Sequence, residues 1–137
     1  MTPELALQAA IRQRLLAVNS LTDLVPANNI LDRNQRPAPT PSIILGTAQG
    51  VDEGQDLDRR RVRIYHTIHV WTREPGLAQA TAIAGALRAA LHGRRQDLIM
   101  ASPFHLIDLR VADLRVMRDP DGETGHAVVT VDALVLT

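Results

Sequence analysis

A chain of 137 residues, 45% hydrophobic and 22% charged, is long enough to bury one core and lacks the bias of a disordered segment. Its 15 basic and 15 acidic residues cancel, so no overall charge draws it onto nucleic acid or an anionic membrane, and direct DNA recognition is disfavoured as its main task. The absence of Cys excludes disulfides, thiolate catalysis, zinc fingers and iron–sulfur clusters; the absence of Lys excludes Schiff-base chemistry and a phosphate-loop Lys.

The opening Thr2-Pro3-Glu4 lacks the basic-then-apolar order of a secretory signal, and no window holds the ~20 apolar residues of a membrane span, so the expectation is a cytoplasmic protein. Pro3 to about Asn19 reads as a helix, with Thr2 as its cap and Pro3 in the first helical position. Leu7, Ile11, Leu15 and Val18 form one stripe, and Gln8 and Arg12 lie on another face. Ser20 to Val25 reads as a second short helical turn, with Ser20 and Asp23 spaced as a local cap and Pro26 after its end. Pro37, Pro39 and Pro41 forbid helix and impose an extended lead-in to a short strand, Ser42 to Thr47. Gly46, Gly50 and Gly54 then break up an acidic loop carrying Asp52, Glu53, Asp56 and Asp58, which Arg59, Arg60 and Arg61 close.

Val62 to Thr72 is the clearest strand: Val62, Ile64, His66, Ile68 and Val70 alternate with Arg63, Tyr65, Thr67, His69 and Trp71. After Glu74-Pro75-Gly76, Leu77 to His92 predicts an Ala-rich helix with Ala80, Ile83, Leu87 and Leu91 in line and Gly93 as its stop. The last third reads as a hairpin. One strand runs from about Phe104 to Arg118, and its apolar positions slip from Ile107, Leu109 and Val111 to Leu114 and Val116, which predicts a bulge near Ala112-Asp113. Asp119-Pro120-Asp121-Gly122 is a turn, and His126 to Leu136 returns. The fold class this predicts is α+β in a single domain, residues 1–137: a mostly antiparallel sheet with the N-terminal helix and the Ala-rich helix packed on one side.

No constellation amounts to a catalytic, metal or cofactor site. His66 and His69 sit three apart on a strand and point to opposite faces, so they cannot share one ion, and His92, His105 and His126 have no sequence-local partner at ligand spacing. Gly46-Thr47-Ala48-Gln49-Gly50 lacks the Lys and the following helix of a phosphate loop. The acidic loop lacks the ligand order of a calcium loop, and Ser20, Ser42 and Ser102 are in no nucleophile-elbow context. Arg59, Arg60 and Arg61 beside the acids have two readings: a solvated strand end, or opposite charges that meet between neighbouring subunits and set their register. Trp71 likewise reads as core packing or, exposed beside Arg73, as an interface anchor.

From His69 to Gly76, His-Val-Trp-Thr-Arg-Glu-Pro-Gly followed by an Ala-rich helix resembles the tail-completion, or tail-terminator, family of long-tailed phages and gene transfer agents. Leu21-Thr22-Asp23-Leu24-Val25, Pro41-Ser42-Ile43-Ile44-Leu45-Gly46 and the turn from Arg118 to His126 agree with that family in order and spacing, so the resemblance spans nearly the whole chain. It implies a non-enzymatic subunit of a hexameric ring at the head-proximal end of a phage-like tail, assembled in the host cytoplasm. Such a ring stops tube polymerisation and docks neck or head-completion proteins. DNA passes through its lumen without specific binding, and Asp52 to Asp58 is a candidate for that lining or for the contact with the tube. The interface candidates are therefore Asp52, Glu53, Asp56, Asp58, Arg59, Arg60, Arg61, Trp71 and Arg73. Two alternatives stand beside this reading: another head–tail connector or stopper, and a small ligand-binding domain or enzyme with a site assembled from distant residues. Only three aromatics, Tyr65, Trp71 and Phe104, argue against a sizeable ligand pocket.

Overall fold

The computed structural model describes residues 1–54 and 57–137. Helix α1 spans Pro3–Ala17, and the Thr2 hydroxyl accepts from the Leu5 N–H at 3.1 Å, which satisfies one of the donors a helix start leaves open. The next turn, α2, is Asn19–Thr22; its cap is Val18, with no side-chain hydrogen bond, so Ser20 and Asp23 do not form the expected local cap. A 3₁₀ turn at Ala27–Asn29 leads into β1, Ile30–Leu31, too short to leave a periodic signal in the sequence. Arg12 reaches back from α1 to the Ile30 carbonyl at 3.2 Å.

Strand β2 runs Ser42–Asp52 and pairs antiparallel with β3, Arg61–Arg73. The expected break at Gly46 and Gly50 does not occur. The strand continues through both, with a register shift between Leu45 and Ala48, so Asp52 and Glu53 stand at the far end of a β2–β3 hairpin. Each glycine answers to packing. A Cβ on Gly46 would lie 3.0 Å from the His69 ring and from the Thr67 carbonyl, and one on Gly50 would collide with the Glu4 carboxylate at the start of α1.

Helix α3, Ala78–Leu91, has its open N–H groups at Gln79 and Ala80 filled by the Glu74 carboxylate at 3.0 Å each. Partial burial works against ionising that carboxyl; hydrogen bonds from the helix backbone outweigh it and lower the pKa. Gly93, at φ +70°, ends the helix in the left-handed region as the sequence predicts.

Strands β4, His105–Arg118, and β5, Thr124–Leu136, form the closing hairpin. The bulge at Ala112 is present. A second one, between Leu106 and Asp108, turns Ile107 out of the apolar row in which the sequence pattern places it.

The five strands lie in the order β1-β2-β3-β5-β4, all antiparallel except β1 with β2. Both long helices cover one face, where Leu7, Ile11 and Leu15 of α1 and Ile83, Leu87 and Leu91 of α3 meet Ile64, Ile68, Val129, Val131 and Leu109. Helix α3 lies against the sheet, with the Ala80 Cβ 3.4 Å from where a Cβ on Gly125 would stand; that Cβ would also collide with the hydroxyl of Thr72, the β3 residue paired with Gly125. The small side chains of α3 make that approach possible. The outer edge of β4 is closed at its middle, where the Leu109 carbonyl accepts from the Gly93 N–H at 3.0 Å and the Val111 N–H donates to His92 Nδ1 at 3.1 Å.

Candidate functional site

With the helices on one face, the side chains that alternate to the other face of β3 and β5 are left to pack among themselves. Near the middle of that face Asp132, 1% exposed, accepts from Arg63 at 2.7 Å and from Arg110 at 3.0 Å. The Arg63 fork also holds Glu53 at 3.0 and 3.1 Å. Its bonds to Glu53 and Asp132 raise the Arg63 pKa, and the bond to Arg63 lowers that of Glu53. A carboxylate between Val131 and Ala133 in an apolar strand was the one sign of this network in the sequence.

At one end of the sheet is the β2–β3 hairpin tip. Asp52 pairs with Arg59 at 2.9 Å, Arg59 stands at φ +54°, and Arg60 donates to the Thr137 carbonyl at 3.0 Å. The charges of Asp52, Glu53 and Arg59 therefore meet inside the hairpin of one subunit. Arg61 is exposed at the start of β3, and Asp58 lies beside Leu57, an apolar side chain that is 96% exposed. Asp56, the remaining candidate of the acidic loop, lies outside the described residues.

The other end holds Trp71 and Arg73. Trp71 is on the face away from the helices, half-buried, and its indole stacks on the His126 ring at 3.9 Å between centroids and 4° between planes. His126 Nε2 in turn lies 2.9 Å from His69 Nδ1, with the rings 19° apart. Two histidines with no sequence-local partner are thus brought together by the β3–β5 register, which sets Trp71 opposite His126. Burial lowers both imidazole pKa values, and at His126 the neighbouring His69 adds to the effect, so this face holds a neutral hydrogen-bonded pair at neutral pH. His66, on the opposite face, is fully buried beside Gln8 of α1 at 3.4 Å, and burial pushes its pKa down to about 4.

The proline-rich segment, expected as a plain lead-in, folds over this end and forms a groove of about 480 Å³. Asn34, Arg36, Pro37 and Thr40 line it from that segment, and Ile44, Trp71, Arg73, Asp119 and Thr124 line it from the sheet and its closing turn. Asn29 pins the segment by donating to the Pro41 carbonyl at 3.0 Å. Arg73 pairs with Glu123 at 3.4 Å, both largely exposed. Nothing in the sequence marked the groove, because its walls come from segments far apart in the chain.

Among the described residues no group of three or more His, Cys, Asp or Glu is placed to hold a metal ion. The segment considered as a phosphate loop is the middle of β2. No helix among the described residues is long and apolar enough to cross a membrane.

Residues 9–136 match the family model of the tail completion protein gp17. Among solved structures, a chain in the virion of a native gene transfer agent (GTA) particle superposes with a TM-score of 0.79 and 26% sequence identity, covering 96% of this chain and 95% of that one. No curated protein matches.

Proposed function

This chain belongs to the tail completion protein gp17 family and is a structural protein of phage-type tails, and from that premise we propose that it caps the head-proximal end of the tail tube. Residues 1–137 act as one tail-terminator-like domain, and copies of it form a hexameric ring. The ring stops tube polymerisation and offers its other side to the neck or head-completion protein. DNA threads the lumen without specific binding, in keeping with a formal net charge of zero. The subunit's work is docking rather than turnover.

The observation that supports this reading most is the end-to-end correspondence, helices and sheet together, with a chain that resides in a gene transfer agent virion. A second feature agrees with it. The candidate contact residues lie at opposite ends of the sheet: Arg60 and Arg61 at one, Trp71 and Arg73 at the other. A subunit with two different contact ends suits head-to-tail closure into a ring.

Deleting the gene from a producing strain tests the role. The expected result, by negative-stain microscopy, is tubes of uncontrolled length and heads without tails. Normal, joined particles in its absence would remove the capping role; tails of normal length that fail to join would assign the chain to the neck instead.

A further inference from the structure

On the uncovered face His69, His126 and Trp71 pack on one another, and the way they fit depends on where their protons sit. His69 Nδ1 and His126 Nε2 are 2.9 Å apart, and the ring centroids 5.2 Å apart with 19° between planes. The centroids are further apart than the nitrogens by about two ring radii, so both nitrogens lie on the line between the ring centres. The imidazoles therefore meet edge to edge, nearly in one plane, joined by one N–H···N bond. Trp71 lies flat on His126, 3.9 Å between centroids and 4° between planes, and lines the groove.

Such a bond holds one proton between the two facing nitrogens. A neutral pair carries that proton and another on the outer nitrogen of the accepting ring. A third fills the remaining outer nitrogen, and the bond persists as an imidazolium donating to an imidazole. The fourth must go onto a facing nitrogen, where N–H would meet N–H and two cations would stand edge to edge. His69 cannot back away. Its far edge, Cδ2 and Nε2, lies against β2, where a Cβ on Gly46 would stand only 3.0 and 3.1 Å from those atoms. His126 has to yield, and His126 is the ring on which Trp71 rests.

The charges around the pair oppose its double protonation on balance. Arg36 and Arg73 line the groove with Trp71, and on β4 Arg115 stands opposite Val128, beside the Met117–His126 pair. Asp119 of the closing turn favours a charge on His126, whereas Glu123 is engaged by Arg73. Burial of both rings, and His69 acting on His126, keep the pair neutral at neutral pH.

We propose that His69 and His126 form an acid-sensitive latch: when both imidazoles are charged their bond breaks, His126 turns away, and Trp71 leaves its stack, remodelling the groove while the fold persists. Both groups titrate below the ordinary histidine value of 6.5, so the latch is closed at pH 7 and opens only on the acid side of that value. The latch belongs to the subunit itself and does not depend on the capping role.

Trp71 is the chain's one tryptophan, so its fluorescence reads the stack directly. Emission of the full chain is followed from pH 7 to pH 4 beside far-ultraviolet circular dichroism. The expected result is a shift of the emission to the red, as the indole enters solvent, while the helix signal holds. His126→Phe leaves a flat ring under Trp71 that cannot charge. His69→Gln leaves a neutral side chain to which a charged His126 can still donate. Both variants are expected to lose the shift; if His126→Phe does not fold, His69→Gln decides alone. Wild-type emission that stays constant until the helix signal collapses would overturn the latch. So would a shift that survives in His69→Gln, because the opening would then need no second charge.

Discussion

His66 and His69 stand three residues apart on β3 and occupy opposite worlds. His66 lies under α1, fully buried, against a glutamine and aliphatic side chains, and resists protonation until about pH 4. His69 lies on the uncovered face, bonded to His126 and near the Trp71 ring, within reach of the solvent and of neighbouring molecules. The difference comes from the two-residue repeat of a strand, which sends alternate side chains to opposite faces. One face carries the buried core of the subunit; under the proposed function the other carries contact surface, so folding and assembly should be separable by mutation.

The largest effect expected from that separation is at Ile68, whose truncation to Ala should cost about 4 kcal/mol in urea unfolding, from lost burial and the cavity left behind. Thr67→Ala, one residue away on the outer face, should cost less than about 1 kcal/mol. Equal losses would erase the distinction between the faces.

Next comes pH. The unfolded chain takes up a proton at His66 near pH 6.5, whereas the folded chain holds it neutral to about pH 4. A depressed histidine pKa means stability that is complete above pH 6.5 and drains away as the pH falls toward 4, by about 3 kcal/mol over that window. Burial shifts His69 and His126 in the same direction, so His66→Gln should remove most, not all, of the slope. Urea midpoints between pH 7 and pH 4 measure it; an unchanged slope would mean that His66 accepts the proton without unfolding.

Smaller again is Gly125→Ala. The added methyl meets the hydroxyl of Thr72 across the β3–β5 pair, and a thermal melt should report a loss of about 2 kcal/mol. A neutral result would show that the Thr72 side chain turns away at no cost.

Much of the stabilising face was legible because it repeats. The period of two in β3, the apolar stripe of α1, the line Ala80-Ile83-Leu87-Leu91 and the slip at Ala112 each follow from one residue pattern and one geometry. What escaped was what depends on partners distant in the chain. Gly46 and Gly50 looked like breaks because glycine usually is one, yet here they make room for His69 and Glu4. The capping role of Glu74, four residues before α3 begins, has no standard spacing. Strand β1 exists only because β2 offers it an edge. On the outer face, Trp71 and Arg73 were named from the sequence as interface candidates, but the groove between them and the proline-rich segment appears only when the chain is folded.

The most direct test of the account is a cryo-EM reconstruction of purified particles carrying this chain. A single hexameric ring of it between tail tube and neck, with the sheet's two ends turned toward neighbouring subunits, is the predicted result. Density for the chain repeated along the tube, or its absence from finished particles, would contradict it.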